Sequence, residues 1–194
     1  MPRGTYLLSG HDGPYALERF SCAPGPAGWR YVATREQPGT GALLGRLDLV
    51  LDARGAPVRV QVETGGWVLR GGVVGAQALW RRGPDERGER AVGFTGTSPA
   101  WAVAAARLLA AAPAPAPAPA PVRLRLVRLG DEALSTRLVE ESWAHTGTAT
   151  REGLVVVRYE TADLGTGERR VVHLSGDVVL DAPDTVLLDL DGPL

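Results

Sequence analysis

Strict alternation is the feature that most constrains this chain. In GRLDLVLD (45–52), Leu47, Leu49 and Leu51 fall on one side, with Asp48, Val50 and Asp52 on the other. After the turn ARGA, the stretch PVRVQVE (57–63) sets Val58, Val60 and Val62 against Arg59, Gln61 and Glu63. A period of two belongs to a strand, whose successive side chains point to opposite faces. Two such segments joined by a short turn read as an antiparallel pair with one buried and one wetter face.

The pattern extends through most of the sequence. YALERFSC (15–22) and WRYVATRE (29–36) flank APGPAG, a Pro/Gly turn signal, and read as a hairpin. WVLR and QALWRR supply two more strands, with glycines expected at their ends. GPDERGER (83–90) reads as a solvated loop and AVGF as a short strand. Later strands are VRLRLVRL (122–129), LSTRLVEESWAH (134–145), LVVVRYETADL (154–164), ERRVVHLSGDVVLD (168–181) and TVLLDLD (185–191).

One segment breaks the alternation. In TSPAWAVAAARLLAAA, Ser98 is placed to cap a helix and Pro99 takes the favoured first helical position. The composition predicts a helix over 98–111, with Trp101, Val103 and Leu108 able to dock on a sheet. Alternating Ala-Pro over 112–121 cannot continue it, because each proline removes a donor and restricts the residue before it. That stretch reads as an extended spacer of roughly 30 Å. Without further crossover helices a parallel α/β architecture is excluded. The expectation is a mostly β chain in a single domain over 1–194. One long, curved antiparallel sheet (a half-barrel or β-roll) wraps one α-helix.

Much familiar chemistry is excluded. QVETGGWVLRGGVVGAQALWRR (61–82) is glycine-rich, but it has neither the lysine nor the following helix of a phosphate cradle. Its glycines read as points where strands bend. GTSPA (96–100) approaches a nucleophile elbow, but Pro99 has no N–H to donate to an oxyanion. Lysine, isoleucine and asparagine are absent, so arginine stands at every basic position. Codon bias accounts for this more simply than phosphate binding does. A net charge of −1 gives no basic surplus for nucleic acid. Cys22 is the lone cysteine and the three histidines are far apart, so no metal site, cofactor or disulfide is expected. The first residues carry no apolar leader and no run approaches 18 apolar residues, which points to a cytoplasmic protein with no integral membrane segment.

Binding candidates come from the rings and arginines. Five tryptophans against two phenylalanines is an unusual ratio. Trp67, Trp80, Trp101, Tyr31 and Phe94 either pack a core or line a cavity suited to a lipid or sugar. In the second case Arg30 and Arg70 would meet a headgroup, with Glu18 and Glu63 as counter-charges. Arg123, Arg125 and, after a register shift, Arg128 form a stripe. It is either a solvated face or an anion-binding one, with Glu140 and Glu141 across the ladder. No catalytic residue is assigned. His145 or His173 beside a carboxylate in the cavity would make a small-molecule hydrolase or cyclase. An interaction module forming a homodimer through an exposed sheet edge is the third reading.

The order of features resembles that of the bacterial glycolipid-binding family whose sheet is similar to the half-barrel of periplasmic lipoprotein carriers. A strand pair ends in Gly66-Trp67, a second strand bears Trp80, and TSPAWAVAAARLL starts a helix. Long strands with VVRYE and a closing GDVVLDAP follow, so the likeness spans about 45–190. It implies a curved sheet around a helix with an apolar concave side, and non-catalytic binding of a hydrophobic or amphiphilic small molecule there. Whether the helix fills that side or leaves a cavity is open at this level.

Overall fold

The computed structural model describes residues 1–25, 28–111, 120–131 and 133–193. They form one open, curved sheet of fifteen strands and a single helix. The first nine strands are β1 (Arg3–Gly10), β2 (Gly13–Gly25), β3 (Gly28–Glu36), β4 (Leu43–Asp52), β5 (Pro57–Thr64), β6 (Trp67–Val74), β7 (Gln77–Arg82), β8 (Asp85–Glu89) and β9 (Gly93–Thr95). Helix α1 (Pro99–Ala111) follows. The chain continues with β10 (Val122–Leu129), β11 (Thr136–Arg151), β12 (Leu154–Asp163), β13 (Arg169–Ser175), β14 (Val178–Ala182) and β15 (Thr185–Asp191). Of the Ala-Pro spacer, residues 112–119 lie outside the described residues.

Across the sheet the order runs from β8 down to β1, then from β15 down to β9. Neighbours in sequence are thus neighbours in space, with two exceptions. The terminal strands β1 and β15 pair with each other, and β8 and β9 form the two edges. Only Arg90, Ala91 and Val92 separate β8 from β9. Such a connection spans at most about 15 Å, so the edges come close together there and the sheet is a roll. Strand β10 shows how the roll ends. Leu126 joins a cluster with Leu124, Val139 and Trp143, whereas its neighbour Val127 joins the main core with Trp80 and Phe94. Over Leu126–Leu129 both of its faces are covered, while Arg123 and Arg125 remain exposed.

Apolar alternation sets the register of the first half. Trp29, Tyr31 and Ala33 of β3 face Leu51, Leu49 and Leu47 of β4, and Leu49 in turn faces Val60 of β5. All of these are buried. A one-residue slip would turn the whole set outward, so this pattern pins the pairing. Outside, Asp48 accepts from both Arg30 and Arg59.

Several local expectations are corrected. Val58 does not share the face of Val60: it is the extra residue of a bulge opposite Val50 and Leu51, and is half exposed. Gly71 and Gly72 lie inside β6 rather than at its end. A Cβ at Gly71 would stand 2.8 Å from Trp80 Cβ, and one at Gly72 would stand 2.6 Å from the Val58 carbonyl oxygen, so glycine permits close approach there. The segment expected as a solvated loop holds β8, which pairs with β7 although its DERGE sequence offers no large apolar residue. The stretch 168–181 is two strands, split at Gly176-Asp177. One parallel pair exists after all: β9 and β10 run parallel, and α1 lies in the connection between them.

The helix is fastened at both ends. Ser98 Oγ accepts from the Ala100 amide at 3.3 Å as its cap. The same hydroxyl donates to the fully buried Glu18 at 2.7 Å. Tyr31 also donates to Glu18 (2.8 Å), as does Arg35 (2.8 Å). Burial, and next the Glu18 charge, push the Tyr31 phenol well above its ordinary value, so it stays a donor. At the other end, Arg107 binds Asp177 and lies 5.2 Å from the centre of the Trp29 ring. Gly55, at φ +78°, lets the β4–β5 turn press on the backbone of Arg107 and Leu108. Beside this contact Cys22 is buried, and burial, with Asp177 adding to it, pushes its thiol up to about 12. Such a thiol is inert.

Candidate functional site

The roll is not filled evenly. Between α1 and strands β10–β15 lies a cavity of about 500 Å³. Around the opposite side of the helix N-terminus, between α1, β4 and β5, the space shrinks to about 30 Å³. The large cavity is bounded by the β1–β2, β10–β11 and β14–β15 turns together with residues 96–98. It therefore lies at the helix N-terminal end, while the C-terminal end is packed by the Arg107 and Gly55 contacts.

One wall is apolar. Trp101, Ala102 and Ala105 of the helix face Leu126, Val172 and Val179 of the sheet. The other wall is charged, because alternation on β10–β13 brings ionic side chains inward. Arg128 follows Leu124 and Leu126 in parity, and Glu141 faces Asp163 across the β11–β12 ladder. Arg128 donates to Asp163 at 2.7 Å and to Glu141 at 3.0 Å. Glu141 also accepts from Trp143 Nε1 (3.0 Å) and Thr95 (3.2 Å). Burial works to raise the Asp163 carboxyl. The amides of Thr166 and Gly165 and the Arg128 guanidinium outweigh it, and hold the group below the usual carboxylate range. Nearer the solvent, Arg170 binds Glu168 and Asp184, all three about half exposed. Asp131 accepts from Thr97 at 2.8 Å and from Arg35 at 2.9 Å.

A pattern recurs here. Arg35, Arg128 and Arg170 each sit between two carboxylates. The described residues lining the cavity include five carboxylates and two guanidiniums, a formal excess of three negative charges. Among the described residues no group of His, Cys, Asp or Glu is arranged to hold a metal ion.

Of the residues singled out from sequence, Trp101 lines the cavity. Tyr31 is in the filled half, bound to Glu18. Trp80 and Phe94 pack edge to face at 6.3 Å inside the core. Trp67 is 44% exposed, with Arg82 over its ring at 5.1 Å. Arg30 binds Asp48 rather than Glu18, and Arg70 donates to Gln61 on an exposed surface; Glu63 accepts from Gln61. The expected headgroup arginines are thus outside the cavity. Arg128 needs no register shift: β10 pairs with β11 without a break, and Arg128 faces inward while Arg123 and Arg125 face solvent. Glu140 stands opposite Arg125, and Glu141 turns to Arg128 instead.

Two histidines, His145 and His173, stand apart from the cavity, while His11 lines it. His145 is near Thr148 and the Gly147 carbonyl, and His173 meets the exposed Asp181 at 3.3 Å. His11 is at the cavity mouth. Sequence reasoning weighed Arg128 and Glu141 only as part of a stripe, solvated or anion-binding, and missed Asp163 and Arg170 as cavity residues. Plain parity along β10 would have found Arg128, since it falls in step with Leu124 and Leu126.

Among the described residues, no helix is long and apolar enough to cross a membrane. Compared with known proteins, the chain matches no family model, no curated protein and no solved structure.

Proposed function

We propose that this protein binds a hydrophobic or amphiphilic small molecule, lipid-like in build, between the helix and the concave face of β10–β15. The carrying observation is the cavity of about 500 Å³ with one apolar and one charged wall. Small-molecule sites commonly enclose about 300–1,000 Å³, apolar in the main with a few placed polar groups. The reading agrees with the glycolipid-binding resemblance, and it asks for no chemistry. On the same reading the protein works in the cytoplasm, where its lone buried thiol stays reduced.

Trp101 and Trp143 both line the cavity, so a ligand there should change the tryptophan emission. The test is mass spectrometry of an organic extract of the purified protein, joined to a fluorescence titration with alkyl-chain lipids. A co-purifying amphiphile, or a saturable emission change that Trp101→Phe diminishes, is the expected result. No extracted amphiphile and no emission change with any lipid would sink the reading.

A further inference from the structure

We infer that the cavity selects a cationic amphiphile, one whose headgroup carries an ammonium or similar charge, over an anionic or neutral one. This rests on the amphiphile-binding reading above and adds the chemistry of the headgroup. The argument begins with the two arginines that line the cavity. Arg128 is held between Glu141 and Asp163, and Arg170 between Glu168 and Asp184. An anionic headgroup would have to displace a carboxylate from one of them, leaving that carboxylate uncompensated in a partly desolvated place. A cation meets the opposite situation. Each triad carries a net negative charge, and Asp131, which accepts from Thr97, belongs to a third triad of the same net charge, with Arg35 shared between it and Glu18. The positive end of the α1 dipole, equivalent to about half a charge, offsets only a fraction of this.

Geometry adds to charge. Glu141 and Asp163 lie directly opposite each other across the ladder and are only 8% exposed, so water screens them less than it screens the half-exposed Glu168 and Asp184. Trp101, Trp143 and Tyr15 contribute rings to the same cavity. Ring faces attract cations and are indifferent or unfavourable to anions. An alkyl chain would lie along Ala102, Ala105, Leu126 and Val179, with its charged end toward the acids.

The experiment uses three eight-carbon probes that differ only at the head: octyltrimethylammonium, octyl glucoside and octanoate. Each is titrated into the full chain below its micelle threshold and followed by calorimetry and tryptophan emission. Octyltrimethylammonium should bind at least about tenfold more tightly than octanoate, with the glucoside between them, and the gap should narrow at high salt. The double substitution Glu168→Gln/Asp184→Asn, at half-exposed positions that do not threaten folding, should reduce the ammonium affinity about threefold to tenfold and the glucoside affinity by less. Equal or tighter binding of octanoate or the glucoside would overturn the charge selectivity while keeping the amphiphile reading. Binding of none of the three would remove both.

Discussion

The two halves of the roll are built from the same alternating strands but finish differently. On β3–β5 the inward positions are apolar, Trp29, Tyr31 and Ala33 against Leu51, Leu49 and Leu47, until Arg35 at the end of β3 meets the buried Glu18 of β2. On β10–β13 the inward sequence mixes Leu124, Leu126 and Trp143 with Arg128, Glu141, Asp163 and Arg170. Long charged side chains cannot interdigitate like aliphatic ones, and they order themselves by pairing instead. Paired ions cap one another at fixed distances, which leaves space between them and the helix. The difference teaches that the cavity is a consequence of which residues the second half turns inward, not of a different backbone.

The largest expected effect tests this contrast by truncation. Leu49 is fully buried and faces Tyr31 and Val60, whereas Leu126 is equally buried but has the cavity on one side. Leu49→Ala should cost toward the top of the roughly 2–5 kcal/mol range for such truncations, and Leu126→Ala toward the bottom. Urea unfolding of both variants reads the difference. Equal costs would mean that the second half is packed as tightly as the first, and the contrast would break.

A smaller effect concerns the ions. Asp163→Asn removes a charged partner of Arg128 and should cost about 1–3 kcal/mol at neutral pH. Because the Asp163 carboxyl is held below its ordinary value in the fold, its contribution is complete above the unfolded value of about 3.9. It is lost as pH falls through the lower folded value. The gap between parent and Asp163→Asn should therefore be full at pH 7 and shrink toward pH 2. Unfolding curves at several pH values check this, and a gap that stays constant down to pH 2 would show that the charge does not stabilise the fold.

Much of the fold was legible because it depends on local parity. Leu47, Leu49 and Leu51 announce their face, and Ser98-Pro99 announces the helix start. What escaped depends on contacts between distant segments. β8 has no large apolar residue, so nothing in DERGE distinguishes a paired edge from a loop. Gly71 and Gly72 look like strand ends until the Trp80 backbone and the Val58 carbonyl are seen against them. The site was harder still. Tryptophan count pointed to Trp80, Phe94 and Tyr31, which fill the core, because a ring that packs and a ring that lines a cavity look alike in sequence. Glu18 was read as a counter-charge to Arg30 and Arg70, whereas its partners Ser98, Tyr31 and Arg35 come from other elements.

The smallest effect sharpens where binding belongs. Trp67 lies on the parity of Leu69, at the start of β6, yet it is 44% exposed at the rim. The Arg82 guanidinium lies over its ring at 5.1 Å. An exposed pair of this kind contributes about 0.5–1 kcal/mol, so Trp67→Ala should shift the unfolding midpoint only slightly. It should also leave the affinity for an eight-carbon ammonium probe unchanged within error. Trp101→Ala should reduce that affinity, since Trp101 is nearly buried and lines the cavity. Calorimetric titration of the two variants separates them. If Trp67→Ala weakens the probe as much as Trp101→Ala does, the rim of the filled half is part of the site. The division between a filled half and a binding half would then have to be redrawn.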